Sequence, residues 1–174
     1  MQLIADCYGI GKRLFPDDRT AVQKIFGQLN KDNLKSYLLD ITQDILDQTE
    51  DGEWLLDKVL DVAKQKGTGK WTARVSLEYG VPVPSLLEAV EARFLSAMKE
   101  ERIAAQQCCN SEEVPCKGDV SLTASLYTAM LLAKTSIYAQ GFALISSVNK
   151  ECSYGIDMKQ LSVIWQTGCI INTE

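Results

Sequence analysis

No histidine occurs among the 174 residues. That removes the commonest general base and every Ser-His or Cys-His pairing, so any chemistry must fall to Lys, Glu, Asp, Tyr or Cys. It also removes the usual companion of cysteine at zinc. The six cysteines, at positions 7, 108, 109, 116, 152 and 169, form no CxxC pair. Cys108, Cys109 and Cys116 crowd one polar loop, but three thiols without paired spacing or a fourth ligand make a poor metal site, and none is expected. No N-terminal run resembles a signal peptide, and no stretch long enough to span a bilayer is free of polar groups. The expectation is a cytoplasmic protein with reduced thiols and no membrane partner. Net positive charge is lacking too: 18 basic against 23 acidic residues leave −5. That argues against sequence-independent binding of nucleic acid. A small anion is not excluded, because it feels a local cluster of charge and not the total.

Strand-like alternation of apolar and polar residues is also missing, and the patterns present are helical. Leu3, Ile4, Cys7 and Tyr8 mark a helix that begins at Met1 without a capping residue. Asp18 or Thr20 caps a second, with Val22, Ile25, Phe26 and Leu29 as its buried stripe. Leu34, Leu38, Ile41 and Ile45 repeat the design toward Asp51-Gly52. A short helix through Leu55, Leu56, Val59 and Leu60 runs into the loop at 65–70. "WTARVSLEYG" follows, with Gly80 suited to a C-terminal cap. Pro84 then opens a long helix whose Leu87, Val90, Phe94 and Met98 keep one face apolar to about residue 106. Across residues 120–147 Lys134 is the sole charge, and a helix so apolar around its circumference is expected to be buried. A final helix lies in "GIDMKQLSVIWQTGCII", with the start of another. The expected fold is all-α, one multi-helix domain around a long buried central helix.

Two glycine-lysine strings resemble nucleotide loops without being complete. "GIGK" at 9–12 sits in an amphipathic helix with no strand before it. "GTGK" at 67–70 has Lys64 and Trp71 where a P-loop needs Gly and Ser or Thr, and no G-x-G-x-x-G occurs. No bound dinucleotide is expected in this chain. "QKGTGKWTA" nevertheless has the parts of an anion site. Gly67 and Gly69 permit the positive φ that turns backbone N–H groups toward one point. Thr68 adds a hydroxyl, Lys66 a mobile charge, and a helix N-terminus follows at Trp71 and Thr72. A solvated turn with Lys66 and Lys70 exposed is the alternative. Arg93 bears on that choice. Its helical neighbours Ala89, Val90, Ser96 and Ala97 include no acid, so its counter-charge must be a distant carboxylate or a ligand.

The same residues carry a resemblance. "DKVLD…QKGTGKWTARVSLEYGVPVPSLLEAVEARFLSAMKEERIAA", from Asp57 to Ala105, resembles the most diagnostic stretch of the 6-phosphogluconate dehydrogenase family. "MQLIADCYG", "SLYTAMLLAKTSIYAQGFALI" and "VIWQTGCII" fall where that family's helical domain has similar strings, in the same order, so nearly the whole chain is covered. The resemblance implies oxidation and decarboxylation of 6-phosphogluconate to ribulose 5-phosphate with reduction of NADP, in the pentose phosphate pathway. It implies that Lys66 and Arg93 hold the substrate's phosphate, with Thr68 as a supporting donor, and that the helical domain forms a homodimer.

Departures from the family shape what is expected of this chain. The family's nucleotide-binding domain precedes the matched region, as does the stretch carrying its catalytic lysine and glutamate. A C-terminal tail whose Arg and His complete a neighbouring subunit's site would follow Glu174. Gln166 and Asn172 stand where the family commonly has arginines, and residues 108–119 are idiosyncratic. The expectation is a helical domain truncated at both ends, binding 6-phosphogluconate weakly, lacking catalytic residues and inactive alone, with NADP belonging to the full-length enzyme. The alternative is a free-standing, non-catalytic helical interaction module derived from that enzyme. A related β-hydroxyacid dehydrogenase is disfavoured, since an unphosphorylated substrate would not need the retained phosphate pair.

Overall fold

The computed structural model describes residues 1–64, 66–109, 121–166 and 169–171. They form two compact units, one built from Met1–Val59, the start of a long helix up to Ala133 and the segment from Lys159, the other from Leu60 onward with Lys134–Met158.

In the first unit, α1 (Gln2–Leu14) buries Cys7, Gly11 and Leu14. α2 (Arg19–Leu29) is capped by Asp18, whose Oδ1 accepts from the Ala21 amide at 2.9 Å, and it buries the expected Val22, Ile25, Phe26 and Leu29. The next stripe differs from the expected one. Leu34 lies in a 3-10 turn (Asp32–Leu34), and α3 (Tyr37–Leu46) starts only after Ser36 caps it. That late start shifts the helical phase, so Leu39 and Leu46 are buried while Ile45 is exposed. A minimal hairpin corrects the strand-free reading. β1 (Thr49–Glu50) pairs antiparallel with β2 (Glu53–Trp54), and Asp51 and Gly52 both take positive φ, 54° and 80°, as a two-residue hairpin turn requires. Arg19 steadies it by donating to the Gly52 carbonyl at 2.6 Å and lying over the buried Trp54 ring. α4 is short (Leu55–Lys58), and Val59 and Leu60 beyond it are exposed, not a buried continuation. Asp57 on α4 accepts from Tyr8 and Lys12 of α1, at 3.1 and 2.9 Å.

In the second unit, α5 (Thr68–Glu78) ends as expected at Gly80, whose φ of 62° closes a Schellman motif: the Val81 amide reaches Ser76 O and the Gly80 amide Leu77 O. Pro84 opens α6 (Pro84–Ala97). Gln140 acts as a cap from a distant helix, accepting from the Ser85 amide and donating to Ser85 Oγ, both at 3.0 Å. The single helix expected to residue 106 is broken at Met98, where ψ is 52°, and α7 (Lys99–Cys108) begins after it.

α8 (Ser121–Cys152) runs through both units over 32 residues. Leu126 and Met130 join the core of the first unit and Leu144 is buried in the second, while Leu132 is 68% exposed. Burial around the whole circumference is therefore not reached within this chain; the helix is covered along a stripe. Desolvation lowers the pKa of its one cation in the apolar stretch, Lys134. α9 spans Met158–Trp165; where the sequence suggests the start of a further helix, residues 169–171 form a bend and a turn, and residues 167–168 and Asn172 fall outside the described residues. Among the described residues no helix is long and apolar enough to cross a membrane.

Candidate functional site

Gly67 and Arg93 are brought to the same part of the second unit by hydrogen bonds from α6 to the chain entering α5. Gly67 is the N-cap of α5 and takes φ 100°, ψ −29°, the left-handed conformation expected of it. Gly69 does not share it. Helix α5 begins at Thr68, earlier than the sequence suggested, so Gly69 and Lys70 lie in its first turn with helical backbone. The Trp71 amide closes that turn on Gly67 O at 3.1 Å. The free N–H groups of a helix start therefore lie within the glycine string itself, beside Thr68. Lys66 and Thr68 are exposed.

Arg93 is half-buried on α6, and its Nη1 donates to the Lys64 carbonyl at 3.4 Å, two residues before Lys66. One turn along the same face, Ser96 Oγ accepts from the Ala63 amide at 3.0 Å and donates to Arg93 O at 2.9 Å. Positions 93 and 96 of α6 thus grip residues 64 and 63 in turn. The segment leading into the turn lies along α6, and the guanidinium points at that segment.

Sequence reasoning missed the group that anchors this segment from its other end. Asp61 receives Lys99 Nζ at 2.7 Å and Arg102 Nη1 at 3.1 Å. Arg102 Nη2 also donates to Asp61 O and Ser96 O, at 3.2 and 3.0 Å. The signal was present as Lys99 and Arg102 three apart on one helical face, but their shared acid is 38 residues upstream of the lysine, beyond any local pattern. Hydrogen bonds from Lys99 and then Arg102 pull the Asp61 carboxyl from its ordinary 3.8 to about 2. Because the folded value is depressed, the contribution, small for so exposed a carboxylate, is present above the unfolded value of 3.8 and is lost as pH falls toward 2. A carboxyl-carbon NMR titration of Asp61 is expected to show a midpoint below the ordinary 3.8, moving back toward it in Lys99→Met. A midpoint near 3.8 in the unaltered chain would mean that the pair does not persist in solution.

Cys108 and Cys109 are exposed, and Cys116 lies outside the described residues. Among those described, no group of three or more His, Cys, Asp or Glu side chains is placed to hold a metal. The "GIGK" string is interior to α1, with Gly11 packed against Val22 and Ile25.

Comparison with known proteins adds an independent observation. The family model for the 6-phosphogluconate dehydrogenase C-terminal domain matches residues 1–174. A decarboxylating 6-phosphogluconate dehydrogenase of Lactococcus lactis subsp. lactis is 38% identical over 177 residues, covering 100% of this chain and 38% of the relative. The NADP(+)-dependent, decarboxylating enzyme of Bacillus subtilis is 38% identical over 175 residues, covering 98% of this chain and 37% of its own length. The fold is similar to that of Plasmodium falciparum 6-phosphogluconate dehydrogenase, with a TM-score of 0.92 at 34% identity over 99% of this chain and 38% of that one. That protein is described in its apo form and in complexes with NADP+ and with 6-phosphogluconate. The chain thus spans well under half the length of the relatives it matches.

Proposed function

Because the chain belongs to the 6-phosphogluconate dehydrogenase family, over that enzyme's C-terminal domain, we propose that it is the substrate-binding and dimerising part of an NADP-dependent decarboxylating dehydrogenase. The whole enzyme would oxidise and decarboxylate 6-phosphogluconate to ribulose 5-phosphate. In this reading Lys66, Thr68 and Arg93 hold the phosphate end. Arginine's planar fork takes two phosphate oxygens, lysine adds a point charge, and Thr68 with the first-turn amides of α5 supplies neutral donors. The observation that carries the reading is the Arg93 hydrogen bond to Lys64 O, which sets a guanidinium beside the chain entering the left-handed Gly67.

NADP is assigned to the whole enzyme and not to these helices. Among the described residues, the glycine-lysine strings lie in α1 and at the start of α5, with no strand leading into either, so a dinucleotide's pyrophosphate has no strand-turn-helix cradle here. Cytoplasmic residence belongs to the same reading. Dimerisation is supported by the large apolar side chains that the second unit leaves open: Leu77 is 76% exposed and Trp71 69%, and Phe94 and Leu95 are exposed as well.

The purified 174-residue chain tests the assignment. It is expected to scatter light with the mass of a dimer and to form no NADPH from 6-phosphogluconate and NADP, since the matched motifs include no catalytic acid or base. Turnover in a contaminant-free preparation, or a stable monomer, would contradict it.

A further inference from the structure

The helix break at Met98 has a chemical consequence for the turn that begins α5. In an unbroken helix the Ser96 carbonyl would accept from the amide of residue 100. Here Arg102 Nη2 donates to that carbonyl, and the same guanidinium reaches the carboxylate and carbonyl of Asp61. Lys99, the first residue of α7, closes on the other carboxylate oxygen. Together with Ser96 Oγ on the Ala63 amide and Arg93 on the Lys64 carbonyl, residues 61, 63 and 64 are each tied to the α6–α7 corner. Lys66 and Gly67 lie two and three residues beyond the last of these.

We infer that Asp61, with Lys99 and Arg102, is a positioning latch for the phosphate turn, setting the register of residues 61–64 so that the cations at 66 and 93 converge on one anion. The inference rests on the proposed phosphate site and adds residues that touch no ligand. Global stability is a poor explanation for the latch, because its three side chains are about half exposed, and exposed ion pairs contribute little to folding. Local register is what such a pair can set, since it fixes which backbone carbonyl meets Arg93.

The test is a double-mutant cycle on the 174-residue chain, with 6-phosphogluconate as probe and inorganic phosphate as a second probe, read by NMR shifts. Asp61→Asn is expected to weaken binding about tenfold while leaving the unfolding midpoint nearly unchanged, and to have almost no further effect in an Arg93→Ala background, because coupled residues are not additive. Lys99→Met, which leaves Asp61 and Arg102 in place, is expected to show a smaller loss of the same kind and keeps the test open should Asp61→Asn fold poorly. Unaltered affinity in both variants would overturn the latch alone, as would an equal loss with and without Arg93, which marks general loosening. No binding by the unaltered chain would overturn both the latch and the phosphate site.

Discussion

Arg93→Ala is expected to weaken 6-phosphogluconate binding by about 30- to 100-fold, the equivalent of about 2–3 kcal/mol for charge-assisted hydrogen bonds lost from a doubly charged group. The magnitude follows from what the guanidinium supplies. Two parallel N–H donors meet two phosphate oxygens in a geometry that a lysine cannot reproduce. Arg93 is half-buried and already directed by its bond to Lys64 O, so little side-chain freedom remains to be lost on binding. Lys66, exposed on a flexible stem, loses more on being fixed, and Lys66→Ala is the milder change on that ground. Calorimetry on the two chains measures the difference, and equal heats for Arg93→Ala and the unaltered chain would remove Arg93 from the site.

Phe26→Ala is expected to destabilise the first unit by about 3–5 kcal/mol, the usual cost of emptying a buried aromatic site. Phe26 is 0% exposed, and Val22, Leu29, Leu34, Leu39 and Leu46 around it are at most 1% exposed, so the core has no route by which solvent or a surface side chain can fill the gap. Such a loss is a large part of the roughly 5–15 kcal/mol that holds a typical domain folded. Phe94, half exposed on α6, provides the contrast: its replacement by alanine is expected to change stability by less than about 1 kcal/mol. Urea unfolding of the two variants checks both values, and similar midpoints would show that the burial around Phe26 is not maintained in solution.

Helix class, and the features that follow from one residue's own chemistry, were legible in the chain. Asp18 as a cap, Gly80 at a helix end, Pro84 in a first turn and positive φ at Gly67 all arise from local constraints, and each is present. The errors come where phase or distance decides. Treating Leu34 as part of α3 moved the buried stripe, because a 3-10 turn advances the chain by a different angle per residue. Gly69 takes helical backbone because glycine permits the left-handed conformation without requiring it; one αL residue at Gly67 suffices to start α5. The Asp-Gly hairpin signal was present at 51–52, yet strands of two residues show no alternation to read. In the candidate site, Lys66, Thr68 and Arg93 stood out through residue type and local charge, whereas Asp61, Ser96, Lys99 and Arg102 became visible only once the fold brought residue 61 against the α6–α7 corner.

The most direct test of a shared phosphate site follows two nuclei in one titration: the Arg93 guanidinium nitrogens and the Gly67 amide of labelled chain, as 6-phosphogluconate is added. The account predicts that both shift along a single binding curve with one dissociation constant, and that inorganic phosphate moves the same two signals. Movement of one without the other, or saturation at distinct ligand concentrations, would contradict it.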